Sequence, residues 1–309
     1  MRFRLLPSLF LICALLVGCT VNPPSVDSEN VIITDATGLS VSVPKNPKRV
    51  AVLFSSLADI WVTSGGSIAI TVGETVDRGF AESSSILVDN GAGKSIDIEQ
   101  LIASEPDFII CSADIDAQLD AASVCRQAGL TAAAFHVESF EDYLALLGVF
   151  TELTGQTDRL QQYGTKVKAS IQTMLQQYNG QKKDAKILFI RAGSSARSTK
   201  AKTAEDHFAC QILKELGTYN IAESAPVLLD GLSFEEILTQ DPEYIFITTM
   251  GSEDAAVSYM TSVLREPQWQ ALTAVKEGRV VFLPKNLFQY KPNSKWADAY
   301  AHLIDAITP

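Results

Sequence analysis

The chain has 309 residues, 25 Lys and Arg against 36 Asp and Glu, and a formal net charge of −11. So acidic a surface argues against nucleic acid, whose binding is carried by Lys and Arg. The length is enough for two domains of ordinary size.

In chain order, Arg2 and Arg4 precede an almost wholly apolar run from Leu5 to Val17 that ends at Leu16-Val17-Gly18-Cys19. A basic start, a short apolar core and small residues at its end read as a secretory signal over 1–18. The core is shorter than the roughly 20 apolar residues of a membrane span. It resembles a bacterial lipoprotein signal, which implies cleavage before Cys19 and a lipid on that cysteine. The expected location is extracytoplasmic, anchored to the cell membrane. Residues 19–30 are polar with two prolines and read as a flexible tether.

A lobe is expected over 31–155. Val31-Ile32-Ile33-Thr34 and Val41-Ser42-Val43 flank Asp35-Ala36-Thr37-Gly38, a hairpin pattern. Val50-Ala51-Val52-Leu53-Phe54 and Ile68-Ala69-Ile70-Thr71-Val72 are continuous apolar runs, as in strands buried on both faces of a parallel sheet. Between them Leu57, Ile60 and Trp61 mark a helix ending at Gly65-Gly66. A helix from Ile98 to Ser104 leads through Pro106 to the strand Phe108-Ile109-Ile110-Cys111. Strands alternating with helices define an α/β fold.

This pattern recurs. Residues 98–111, IEQLIASEPDFIIC, match 234–247, FEEILTQDPEYIFI, at an offset of 136. The same offset aligns Ala51-Val52-Leu53-Phe54 with Ile187-Leu188-Phe189-Ile190. Two matches at one offset predict two lobes of like architecture, the second over 181–309. A helix from Phe140 to Leu153 stops near Gly155, and Thr157 or Asp158 can cap the next. In the 156–180 segment Leu160, Tyr163, Val167, Ile171, Met174 and Tyr178 recur at three- and four-residue steps, one apolar helical face. About 22 helical residues span about 33 Å, enough to join two lobes and stiff enough to permit only a small closing motion.

Cys111, Cys125 and Cys210 show no C-x-x-C spacing. An exported protein can form a disulfide, for which Cys111 and Cys125 are the best pair; three unpaired thiols fit equally. Neither G-x-S-x-G, H-E-x-x-H nor a complete phosphate-binding loop occurs, and Gly93-Lys94-Ser95 lacks the first glycine of the last. No enzyme is expected. A hydrolase or a surface adhesin on this fold is the alternative from another class.

The hairpin ending in Val43-Pro44, Arg49 to Leu53, Ile98 to Leu101 with Glu105 to Ile110, Leu213 to Gly217 with Asn220, and Trp269 with Gly278 to Val280 occur in a specific order. In this order the chain resembles the helix-linked periplasmic binding proteins that feed ABC importers of iron-siderophores, haem and cobalamin. The resemblance implies two Rossmann-like lobes joined by a single long helix, with the ligand in a cleft between them. It implies an importer permease and its ATPase as partners. It also implies one docking acid per lobe, and Glu99 and Glu235 match that pattern; both also suit the start of a helix, where the dipole favours acids. The chain is expected to act as a monomer with no cofactor of its own, carrying a ferric siderophore or, alternatively, haem or cobalamin.

In open α/β sheets ligands lie beyond the carboxyl ends of strands. That rule selects Ser55, Ser56, Glu74 and Arg78 in lobe one, and Arg191, Arg197, Met250, Tyr290 and Lys291 in lobe two. The Arg191–Lys202 loop, with Lys200 and Lys202, is basic in an acidic chain and suits an anionic ligand; for the two lysines a solvated loop is an equal reading. Met250, Tyr290 or His136 could approach a haem iron. The three histidines show no clustered spacing for a bare metal.

Overall fold

The computed structural model describes residues 29–89 and 95–308. The signal segment, Cys19 and the tether as far as residue 28 lie outside the described residues. The hairpin is formed by β1 (Asn30–Thr34) and β2 (Ser40–Pro44), antiparallel, with Val31 opposite Val43 and Ile33 opposite Val41. These four valine and isoleucine side chains are buried and their neighbours face out, the alternation a half-covered hairpin requires. Asp35 builds the turn: its Oδ1 accepts from the Thr37 and Leu39 amides at 2.9 and 3.1 Å, and its Oδ2 from the Ala134 amide.

Lobe one runs β3 (Val50–Val52), α1 (Ser55–Thr63), β4 (Ile70–Thr71), α2 (Gly73–Asp77), β5 (Ile86–Leu87), α3 (Ile98–Ala103), β6 (Phe108–Ser112), α4 (Asp116–Gln127) and β7 (Ala132–Phe135). Its strands are parallel in the order β5-β4-β3-β6-β7. The order reverses between β3 and β6, so a crevice opens beyond the carboxyl ends of these two strands. The apolar run at Ile68–Val72 forms a shorter strand than its composition predicts. Next, α5 (Phe140–Thr154) begins with a capping box between Ser139 and Asp142 and ends at Gly155, φ 69°.

The expected linker helix is present with one irregularity. Between α6 (Asp158–Leu160) and α7 (Lys166–Tyr178) the helix widens into a π turn at Gln161–Thr165. Thr157 makes no side-chain cap. Gly164 lies inside this turn, and a Cβ there would come within 2.6 Å of a Leu144 methyl. The linker thus passes α5 at a distance that its glycine permits.

Lobe two runs β8 (Lys186–Ala192), β9 (Lys200–Ala201), α8 (Phe208–Glu215), β10 (Tyr219–Asn220), α9 (Val227–Asp230), α10 (Phe234–Gln240), β11 (Tyr244–Thr249), α11 (Glu253–Leu264), α12 (Thr273–Lys276), β12 (Val280–Phe282), α13 (Lys285–Phe288) and α14 (Trp296–Ile307). The order β10-β8-β11-β12 is parallel, with β9 antiparallel on β8, and it reverses between β8 and β11.

The internal repeat is structural, but its offset is not constant. β6 and β11 correspond at 136, and so do α3 and α10. In lobe one Val50 pairs with Phe108; in lobe two Ile187 pairs with Tyr244. Val50 and Val52 therefore match Ile187 and Phe189, and all four face the same core, whereas Ala51 and Leu53 match Leu188 and Ile190 on the opposite faces. The alignment of Ala51 with Ile187 is one residue out, and a one-residue slip would turn every side chain to the wrong face.

The acid-Pro-acid step has a physical cause. Glu105 and Asp241 both take left-handed backbone, φ 45°, and their amides close the preceding helices onto Ile102 and Ile237 carbonyls. The acid after each proline then reaches the start of the neighbouring strand. Asp107 accepts from the Arg49 amide at 3.0 Å, and Glu243 from the Lys186 amide at 3.3 Å.

One continuous core joins the lobes behind the cleft. Trp296 of α14 packs edge-on against Phe140 of α5 at 6.2 Å and against Phe208 of α8 at 5.3 Å. Cys111, Cys125 and Cys210 are buried free thiols, so the candidate Cys111–Cys125 bridge is not formed.

Candidate functional site

Both sheets direct their carboxyl ends at the space between the lobes. In lobe one β3 passes through extended Phe54 straight into α1, which leaves Ser55 and Ser56 in its first turn. β4 passes as abruptly into α2, which carries Glu74 and ends at Arg78. These four residues form one network. Ser55 Oγ donates to Glu74 Oε2 at 2.5 Å, and Arg78 Nη1 donates to Ser55 Oγ at 2.8 Å and to Ser56 Oγ at 3.4 Å. Burial holds the Arg78 guanidinium below its ordinary value, opposed by Asp59 and Glu74.

Three residues of the lobe-two segment 290–293 make contacts across to lobe one. The Tyr290 ring lies 3.9 Å from the Arg78 guanidinium carbon, a cation–π stack. Lys291 pairs with Glu138. Asn293 donates through Nδ2 to the Ser56 carbonyl and to Asp59 Oδ2, both at 2.9 Å.

Between these contacts and the strands of lobe two lies a cavity of about 340 Å³. Arg191 of β8 and Thr248 of β11 are register partners and both line it. The Arg191 guanidinium makes no hydrogen bond or ion pair among the described residues, and the buried Thr248 Oγ1 has no hydrogen-bond partner. His207 lies beside them at the start of α8, its ring 4.6 Å from Phe189 and 4.9 Å from Phe208. Its Nδ1 accepts from the Ala209 amide at 3.2 Å, which leaves the proton on Nε2. Burial first, then the charges of Lys291 and Arg191, push its pKa down to about 3. Phe54, Phe208, Phe288, Tyr290 and Met250 supply apolar wall.

Of the residues selected by sequence, Ser56, Glu74, Arg191, Met250, Tyr290 and Lys291 line this cavity. Ser55 and Arg78 stand behind them as support. Arg197 stands apart, exposed in the tight turn Ala196–Ser198. Lys200 lies in β9, and Lys202 pairs with Asp206 at 2.5 Å. His136 is exposed and bonded to Asp114 at 2.6 Å, outside the cavity lining. Glu99 and Glu235 occupy matching exposed positions in the first turns of α3 and α10, away from the cavity. The strand-end rule also reaches Thr248, in the loop Thr248-Thr249-Met250-Gly251. Sequence reasoning missed His207, which follows no core strand and carries no local signal. Among the described residues no group of three His, Cys, Asp or Glu is arranged to hold a metal, and no helix is long and apolar enough to cross a membrane.

Residues 50–287 match the model of the family described as periplasmic binding protein. The chain belongs to that family, the substrate-binding proteins of ABC transporters. This binding protein is 23% identical over 316 residues to the uncharacterized ABC transporter substrate-binding lipoprotein YvrC of Bacillus subtilis (strain 168), covering 98% of this chain and 96% of that one. Its fold is similar to that of the siderophore-binding protein BauB, solved with two acinetobactin molecules and ferric iron: TM-score 0.71, 14% identity, 91% and 99% of the two chains covered. Staphylococcus aureus SirA, solved with staphyloferrin B, gives a TM-score of 0.65 at 18% identity, over 89% and 96%. At such identities the structures establish the two-lobed fold alone.

A His207 that stays neutral in the folded binding protein titrates at about 6.5 when unfolded. Unfolding then takes up a proton at acid pH, so stability should be full above about pH 6.5 and fall by about 1.4 kcal/mol per pH unit toward pH 3. His207→Asn, which keeps an acceptor for the Ala209 amide, should flatten that part of the curve. Denaturant titrations across pH 3–7 measure the difference, and parallel curves for the two proteins would contradict it.

Proposed function

We propose that this binding protein captures a ferric siderophore or similar anionic iron chelate in the inter-lobe cavity and delivers it to an ABC permease. The observation that carries the reading is the pairing of an unpartnered Arg191 guanidinium with an unpartnered buried Thr248 hydroxyl on adjacent strand ends. A buried donor without an acceptor is costly, and an anionic oxygen supplied by a ligand removes the cost. The His207 Nε2–H adds a neutral donor at the same place, and the aromatic wall suits a ligand with a flat or apolar body. That SirA and BauB were solved with siderophores supports the ligand class. Haem is the second reading, favoured by Met250, whose side chain is 38% exposed at the cavity edge.

Arg191→Ala should weaken binding of the matching probe among ferric staphyloferrin B, ferric acinetobactin and haemin by about 10- to 100-fold, with an unchanged melting temperature. Tryptophan quenching reads the siderophores and the Soret band reads haemin. Equal affinity in variant and parent would remove Arg191 from the site.

We place permease docking at Glu99 and Glu235, one exposed carboxylate per lobe, each able to take a permease guanidinium. Glu99→Ala with Glu235→Ala should leave ligand affinity unchanged and cut cellular uptake about tenfold. Normal uptake by the double variant would refute the assignment.

We also assign the lipid anchor to Cys19, on the Leu16-Val17-Gly18-Cys19 sequence and the lipoprotein nature of the Bacillus subtilis relative. Cys19→Ser should shift the protein from the membrane pellet to the soluble fraction; retention in the pellet would rule the anchor out.

A further inference from the structure

The cleft is divided. The 340 Å³ cavity adjoins a second of about 230 Å³, walled in lobe one by Leu57, Ile60, Ser112 and Val137. The two share four lining residues: Phe54, Ser56, Glu138 and Lys291. Phe54 precedes α1 and Ser56 lies in its first turn, with the Ser56 carbonyl held by Asn293. The other two are the Glu138–Lys291 ion pair, which joins lobe one to lobe two.

We infer that this ion pair is a displaceable partition, and that Glu138 sets the size and charge of the ligand the cleft accepts. The inference rests on the proposed reading of the cleft as the ligand site. Glu138 is anchored by its backbone amide, which donates to Asp142 Oδ2 at 3.0 Å beside the capping box of α5. Its carboxylate has no hydrogen-bond partner other than Lys291 among the described residues, so it can turn out to solvent without disturbing the helix start. Lys291 stays in place: its ammonium sits 5.2 Å from the Phe208 ring centroid. The side chains of the pair are 20% and 24% exposed. At that depth an ammonium stripped of its counter-ion is costly, and a replacement anion restores the balance.

Ligand entry is then an exchange of one anion for another at Lys291. A ligand with a single anionic group is satisfied by Arg191 and stays in the larger cavity. One with a second anionic group at its far end displaces Glu138, engages Lys291 and places its apolar parts in the second cavity, whose unshared lining is apolar apart from Ser112, Asp114 and Asn293. The cleft therefore selects chelates carrying at least two separated anionic groups, such as polycarboxylates.

Two measurements test this. In a crystal structure of Glu138→Gln the two cavities should be continuous, with Lys291 still seated against the Phe208 ring. Ferric staphyloferrin B should bind Glu138→Gln about tenfold more tightly than the parent, equivalent to about 1.4 kcal/mol, because the internal competitor is gone. The gain should vanish in Glu138→Gln with Lys291→Gln. Separate cavities in Glu138→Gln, or weaker binding by a variant that melts normally, would overturn the partition. Joined cavities with no binding of any probe by parent or variant would sustain the partition and sink the ligand reading of the cleft.

Discussion

Everything in the cleft depends on where Asn293 holds the lobes. Its side chain is fully buried, and its amide donates across the gap to the Ser56 carbonyl and the Asp59 carboxylate. Its backbone sits at φ 51°, a left-handed conformation that asparagine tolerates better than most residues. Burial pushes the Asp59 carboxyl up, opposed by the Asn293 bond and by the charges of Arg78 and Lys295. Behind this point Trp296 wedges between Phe140 and Phe208. A joint pinned by a buried amide and backed by packed rings can rock but not swing open. The positions of Tyr290 and Lys291 follow, since Pro292 ties both to Asn293.

The charge arrangement is compatible with the proposed anionic ligand in an otherwise acidic protein. Cations around the cleft are neutralised from within: Lys291 by Glu138, Lys202 by Asp206, and Arg78 in the hydroxyl network that also holds Glu74. Arg191 is the exception among the lining residues. The nearby imidazole stays neutral first because it is buried, and then because charging it would add a third cation beside Lys291 and Arg191. The cavity thus presents one unpaired guanidinium among the described residues rather than a broad positive field.

Much of this was legible in the sequence because parallel strands buried on both faces write themselves as short apolar runs. The acid-Pro-acid step was visible twice, and its meaning is now physical: a left-handed helix end, then a carboxylate that reaches the start of the neighbouring strand in the sheet. The strand-end rule selects Ser56, Glu74 and Arg191, which line the cavity because each follows or ends a core strand directly. It also selects Arg197, which the tight turn after β8 carries out to solvent. It did not reach His207, which topology alone brings to the cleft from the start of α8. The one-residue change of offset between β3 and β8 was invisible for another reason: in a run where every position is apolar, either register reads equally well.

The three buried thiols have a practical consequence. Burial pushes the Cys111 sulfhydryl up to about 12 and that of Cys210 well above its ordinary value, so neither forms a thiolate at neutral pH. No disulfide joins the described residues, so a reductant has none of their bonds to break. A cysteine engineered onto the outside of each lobe would react with a fluorophore or spin label while the native thiols stayed silent, making the width of the gap directly observable in solution.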